Sequence, residues 1–264
     1  MPHTKKQKAG HSSDAAKPPS AHSEIRALRT AVTAMFKRVV NQRQMDSADT
    51  LIDTLDQLAA HPARTLEAMT WLGFVADAMT SEKAGPDREQ FRDKAVGIMV
   101  KHVDLVSDAG MRVDYLTKAL LLVPAGSDPA QQAAEKILKN VRAFNNPYYE
   151  LVVLMMTAER VKPGSEVEQS LLGPILNAAS LPVVNKSQKL EAFTLVAARA
   201  MPDSQPAKDA QEKLEEATRF EVKQPHARLW KDAGGEGMTQ MERNFYYNSR
   251  RNLESARRLR NSGP

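Results

Sequence analysis

The sequence predicts an all-α protein, a right-handed α-solenoid of about five helical hairpins followed by a basic amphipathic helix, and three observations lead there. First, Leu66-Glu67-Ala68-Met69-Thr70 returns as Leu190-Glu191-Ala192-Phe193-Thr194, with Val113-Asp114-Tyr115-Leu116-Thr117 and Leu151-Val152-Val153-Leu154-Met155 keeping the apolar positions. These blocks lie 47, 38 and 39 residues apart, the spacing of stacked helical units. Second, Pro129 to Ile137 is echoed by Pro206 to Leu214 at an offset of 77, which also separates the Val113 and Leu190 blocks. The repeating unit is therefore a pair of helices. Third, apolar residues make up 42% of the chain and aromatics only 5%, with 12 Met, a composition for helices packed through small and flexible side chains rather than for sheets. The repeat predicts two sets of equivalent buried positions: Leu66, Val113, Leu151 and Leu190, and Met69, Leu116, Leu154 and Phe193.

Residues 1 to 23 are poor in apolar side chains and rich in Lys, Ser, His, Ala and Pro. They bury too little to offset the entropy of ordering and are read as a disordered tail. From Glu24 the helical period takes over: Ile25, Leu28, Val32, Met35, Phe36, Val39 and Val40 recur at three and four residue steps, predicting a helix to about Arg43. Asp46 or Ser47 is placed to cap its partner, whose stripe is Leu51, Ile52, Leu55, Leu58 and Ala59, ending near His61-Pro62. The second pair runs from about Ala63 to Ser81 and from Asp87 to Val106, with Asp87 and Gln90 as a capping box. The third runs from Met111 to Val123 and from Pro129 to Phe144, Asp128 serving as cap and Pro129 fitting the first turn. The fourth opens at Asn146-Pro147, turns at Pro163-Gly164 and restarts with the capping box Ser165 and Glu168; the fifth occupies Ser187 to Ala200 and Pro206 to Arg219. The helical-repeat domain thus spans residues 24 to 219.

Gln224-Pro225 and Gly234-Gly235-Glu236-Gly237 mark residues 220 to 237 as a linker. Thr239 and Glu242 then form a capping box for a final helix, within residues 238 to 264, over about Gln240 to Arg260. Arg243, Arg250 and Arg257 are spaced by seven, as are Arg251 and Arg258, so the guanidinium groups share one side. Met238, Met241, Phe245, Leu253, Ala256 and Leu259 form a narrower apolar stripe.

The total charge is +5, but residues 1 to 23 carry +3 and residues 219 to 264 carry +5, which leaves −3 for residues 24 to 218. The basic character belongs to the ends. The chain has no cysteine, which excludes disulfides, thiolate zinc sites and cysteine nucleophiles. No run approaches 18 apolar residues, and Met1 to Ser23 has no apolar core of a secretory signal. This predicts a soluble cytoplasmic protein without a transmembrane segment. The alternative location is outside the cell, as a bacterial secreted effector without a cleavable signal peptide: the first thirteen residues lack acid and the C-terminus is Arg-rich.

Lys118-Ala119-Leu120-Leu121-Leu122-Val123-Pro124, followed within a few residues by a new helix, resembles the end of a tetratricopeptide repeat, and Trp71-Leu72-Gly73 resembles that family's opening. The period of 38 to 47 is equally similar to HEAT-like pairs. The resemblance implies stacked helical hairpins that bind a partner on a concave face.

Catalytic constellations are missing: no His-Glu-x-x-His, no Gly-rich phosphate loop, no Gly-x-Ser-x-Gly elbow and no Glu-x-x-His pair occurs. His102 with Asp104 and Asp108 has short metal-like spacing, yet Asp near a helix end ordinarily caps or stays solvated. The reading is a non-enzymatic interaction scaffold or adaptor with no cofactor and a protein or peptide partner. Of the aromatic residues Trp71, Phe74, Phe91, Tyr115, Phe144, Tyr148, Tyr149 and Phe193, most are expected to fill hairpin cores. Tyr148 and Tyr149 are the candidate exception, because adjacent helix residues point about 100° apart and one ring can pack while the other faces a partner. In the last helix Arg243, Tyr247, Arg250, Arg251, Arg257 and Arg258 are candidates to contact nucleic acid or an anionic surface, or else that helix caps the array.

Overall fold

The computed structural model describes residues 21–41, 47–80, 86–143 and 146–219. Nearly all of the expected tail, together with the linker and the C-terminal helix, falls on residues 1–20 and 220–264, outside the described residues. Among the described residues ten α-helices follow one another: α1 Ala21–Phe36, α2 Ala48–Ala59, α3 Thr65–Met79, α4 Pro86–His102, α5 Ala109–Leu122, α6 Asp128–Asn140, α7 Pro147–Arg160, α8 Glu166–Ser180, α9 Lys186–Arg199 and α10 Gln205–Arg219. Among the described residues there is no strand. α1 runs into a π-helical turn, Lys37–Asn41, and α4 and α6 tighten into 3₁₀ turns, Val103–Leu105 and Val141–Ala143.

Helices pack against their successors and then against the next but one: α2, α4, α6, α8 and α10 form one series of contacts, and α3, α5, α7 and α9 another. Such packed adjacent pairs are compatible with a helical repeat. One continuous core runs from Val32 to Ala210, and the predicted stripe of α2 is wholly inside it, as Leu51, Ile52, Leu55, Leu58 and Ala59 are all buried.

The turns inside the third, fourth and fifth pairs share one construction. Gly126, Gly164 and Asp203 are the described residues with positive φ, at 76°, 75° and 64°. Each follows a proline closely and precedes a serine: Pro124, Pro163 and Pro202, then Ser127, Ser165 and Ser204. A left-handed residue turns the chain within a few residues, and glycine adopts that conformation without a Cβ penalty, whereas Asp203 pays a modest one. The Ser165 cap forms as expected, Ser165 Oγ accepting the Glu168 N–H at 3.2 Å, while the returning Glu168 Oε2 accepts the N–H of Gly164, one residue before the cap, at 2.6 Å. Asn146 Oδ1 likewise accepts from the N–H groups of Tyr148 and Tyr149.

Two expected caps are displaced. Ser127, not Asp128, holds the cap position of α6, and Asp128 is its first residue. Asp87 lies inside the first turn of α4 because Pro86 opens that helix; the fixed φ of proline fits a first helical position, and the carboxylate there meets the positive end of the helix dipole.

The second set of equivalent positions is buried throughout, with Met69, Leu116, Leu154 and Phe193 all in the core. In the first set Val113 and Leu151 are buried and Leu190 is half-buried, but Leu66 is 45% exposed. The cause is register. Leu66 is the second residue of α3, whereas Val113 and Leu151 are the fifth residues of α5 and α7, a full turn deeper. Thr65 takes the inward place instead, its Oγ1 donating to the Ala59 carbonyl at 2.9 Å. A displacement of 44 superimposes the buried faces of α3 and α5, pairing Met69 with Val113, Leu72 with Leu116, Val75 with Ala119 and Ala76 with Leu120.

Two arginines join successive first helices at their C-terminal ends. Arg160, 4% exposed at the end of α7, donates from Nε to the Leu120 carbonyl at 3.3 Å and from Nη2 to the Val123 carbonyl, both at the end of α5. Burial pulls its guanidinium below the ordinary arginine pKa. Arg199, 39 residues on, donates to the Ala158 carbonyl of α7 and to the carboxylates of Glu159 and Glu168. In return the Gly126 N–H caps the Arg160 carbonyl at 2.9 Å.

A polar substitution separates the two sets. Leu116→Asp buries a carboxylate without a partner and is expected to destabilise by about 3 kcal/mol or more. Leu66→Asp, in the first turn of α3, should change stability by no more than about 0.5 kcal/mol. Urea unfolding of both variants checks the register: equal losses would show that Leu66 is a core position.

Candidate functional site

The outward line of α3 is Leu66, Thr70, Phe74 and Asp77, at helical spacing and all exposed. Phe74 is 51% exposed and does not fill the core as most aromatic positions were expected to. Behind it lies an ordered ladder. The Trp71 ring sits 5.7 Å from the ring of Phe36, on α1, and 6.1 Å from that of Phe74, edge-on, within the range of favourable aromatic pairing.

α5 supplies the other flank. Lys118 Nζ lies 5.6 Å from the centroid of Phe74 and 2.6 Å from Asp77 Oδ2, so the ammonium both covers the ring and pairs with the carboxylate. Gly73 makes room for this: a Cβ there would come within 3.1 to 3.2 Å of the end of the Lys118 side chain. One turn earlier on α5 the Tyr115 hydroxyl meets Thr70 Oγ1 at 3.0 Å, and Met111, also exposed, continues the line. Arg29 of α1 pairs with Glu67 at the opposite edge. Apolar and aromatic side chains thus alternate along this face with the ion pairs Lys118–Asp77 and Arg29–Glu67.

The other aromatic positions divide. Phe91, Tyr149 and Phe193 are buried, Trp71, Tyr115 and Tyr148 are half-buried, and Phe144 lies outside the described residues. Of the two adjacent tyrosines, Tyr149 is therefore the packed ring and Tyr148 the one nearer the surface. Arg243, Tyr247, Arg250, Arg251, Arg257 and Arg258 lie outside the described residues. Sequence reasoning missed the patch of Leu66, Phe74 and Met111. Its signal was available: α3 carries apolar residues on the line opposite Met69, Leu72, Val75 and Ala76 as well as on it.

The group around His102 is an inter-helix tie. His102 Nε2 lies 2.6 Å from Asp56 Oδ1, across α2 and α4, and Lys101 Nζ lies 3.1 Å from the same carboxylate. Burial acts to raise the Asp56 carboxyl, but the hydrogen bonds from His102 and Lys101 outweigh it and hold it below the ordinary carboxylate value. Asp104 pairs with Lys136 of α6, and Asp108 caps α5 by accepting the Met111 N–H at 2.8 Å. Each of the residues with metal-like spacing thus has a structural task.

No family model, curated protein or solved structure matches the chain. No described helix is long and apolar enough to cross a membrane.

The lowered Asp56 value has a pH consequence. A carboxyl with a depressed folded-state pKa contributes stability above its unfolded value, about 3.9, and loses that contribution as the pH falls through the folded value. Asp56→Asn should therefore melt below the parent at pH 7, with the gap closing as the pH drops below the carboxylate range. Melting curves at pH 7, 5 and 3 measure it; a gap constant across that range would mean the ionised form carries no stabilisation.

Proposed function

We propose that this protein is a non-enzymatic interaction scaffold, a right-handed α-solenoid of the tetratricopeptide-like or HEAT-like kind, whose α1, α3 and α5 face docks an apolar side chain of a protein or peptide partner. The observation that carries the reading is Phe74, held half-exposed between Trp71 and Lys118. Covering about 100 Å² more of apolar surface there would contribute about 2.5 kcal/mol at 25 cal/mol per Å². Trp and Tyr, both present in the patch, are the residue types that most often dominate binding energy at interfaces.

Phe74→Ala is expected to weaken partner binding by about tenfold or more while shifting the melting temperature little, since the ring is half outside the core. Val183, 53% exposed on the distant α8 to α9 connection, is the matched control. A protein captured from the native cell by the parent and by Val183→Ala, but not by Phe74→Ala, and then bound directly in purified form, supports the reading. Equal binding by all three would place the partner elsewhere.

A second reading rests on the arginine spacing in residues 238 to 264, which suits contact with phosphates. If Arg243, Arg250, Arg251, Arg257 and Arg258 all engage a single strand, the log–log salt slope should be about −3.5. Replacing the five by Gln should abolish that binding without lowering the melting temperature. Undiminished binding of nucleic acid and of anionic vesicles by this variant would rule the second reading out.

A further inference from the structure

The charges beside Phe74 do not balance. Lys118 of α5 is one cation between two carboxylates: its Nζ lies 2.6 Å from Asp77 Oδ2, and its charge also acts on Asp114, one helical turn earlier on the same helix. Asp77 takes the ammonium, so the three side chains together keep one negative charge. Among the described residues no hydrogen bond or ion pair holds Asp114. Arg29 and Glu67, the other charged pair of this face, cancel each other.

Asp114 belongs to the same surface as the exposed ring. On α5 it follows Met111 by three residues and precedes Lys118 by four, so the three share one side of the helix. The displacement of 44 that superimposes α3 on α5 pairs it with Thr70, on the outward line through Phe74. Asp114 is exposed, yet the surrounding protein raises its carboxyl above the ordinary value by desolvation, with the Lys118 charge pulling the other way. A carboxylate that is open to water but desolvated by its neighbours sits in a concavity, where a cation is attracted more strongly than on a convex surface.

Resting on the scaffold reading, we infer that the partner segment of the α1, α3 and α5 face combines its apolar anchor with a lysine or arginine, the anchor seated against Phe74 and the cation on Asp114. Both cations carry their charge on a long apolar stem, so such a side chain can lie along the apolar surface beside Met111 and still bring its head to the carboxylate. An acidic segment would meet the uncompensated charge instead and be rejected. The face thereby selects among apolar segments by their charge.

Selection of a displayed library of random peptides on the full chain tests this. The parent is expected to enrich peptides with an apolar residue and a Lys or Arg at a fixed offset, Asp114→Arg to enrich an acidic residue at that offset, and Phe74→Ala to enrich neither. One peptide enriched by the parent, made synthetically, should bind Asp114→Asn about fivefold more weakly. Its version with Glu in place of the cation should bind Asp114→Arg better than it binds the parent. Because Asp114 is exposed, both variants should melt as the parent does. Glu212→Gln, at an exposed acid of α10, changes the net charge as Asp114→Asn does and should bind the peptide as the parent does. Enrichment that depends on Phe74 but shows no basic preference, a basic preference that Asp114→Arg leaves unchanged, or an equal loss with Glu212→Gln overturns this inference and leaves the scaffold reading standing. No enrichment dependent on Phe74 overturns both.

Discussion

The helix ends are the constraint on which the rest of this structure depends. A stack of helical pairs must bury the last carbonyls of each first helix against the next pair, and buried carbonyls without donors cost about as much as lost hydrogen bonds. Arg160 and Arg199 answer this for α5 and α7 by reaching back to the Leu120, Val123 and Ala158 carbonyls. Because each donor belongs to the following pair, the bond that satisfies one helix end also sets the distance to the next helix. The Gly126 N–H returns the favour at the end of α7, which ties turn geometry to the same junction. Glu159 and Glu168 surround Arg199 with charge-assisted bonds, and truncating that arginine would take a cationic partner from both carboxylates and a donor from the Ala158 carbonyl.

Much of the fold was legible because local signals agreed with one another. The proline, turn and serine runs, the capping box at Ser165 and the apolar stripes place the helix pairs within a few residues. The register of α3 was less legible. Leu-Glu-Ala-Met-Thr matches the downstream blocks as a string, but burial follows where a helix starts, and α3 starts at Thr65, only one residue before Leu66. A displacement of three residues moves Leu66 from the core to the surface. Asp128 and Asp87 were misassigned as caps for a related reason: the neighbouring Ser127 and Pro86 compete for the helix boundary, and composition alone does not rank them.

The candidate site was harder to read than the fold. Phe74 is apolar, and its spacing from Trp71 is helical, so pattern alone puts it inside. Only the phase of α3, in which Met69, Leu72, Val75 and Ala76 all turn inward, puts Phe74 on the opposite side, where Gly73 leaves space for the Lys118 side chain. Arg160 and Arg199 were invisible for the opposite reason. A lone arginine near a helix end reads as a solvated residue, and only the 39-residue interval between them hints at a shared task. Of Tyr148 and Tyr149 the second is buried and the first half-buried, and adjacency alone did not say which of the two would turn inward.

The contacts of the ten helices are almost all between elements one or two apart along the chain. Few long loops must therefore close before native contacts reward the closure, which is the condition for fast folding. Each helix pair is therefore held mainly by its immediate neighbours, and the pairs at either end of the described body have a neighbour on one side only. In such a chain the junctions at Arg160 and Arg199 act as couplings between neighbouring units. Truncating either one removes a bond between pairs while leaving the caps within each pair in place.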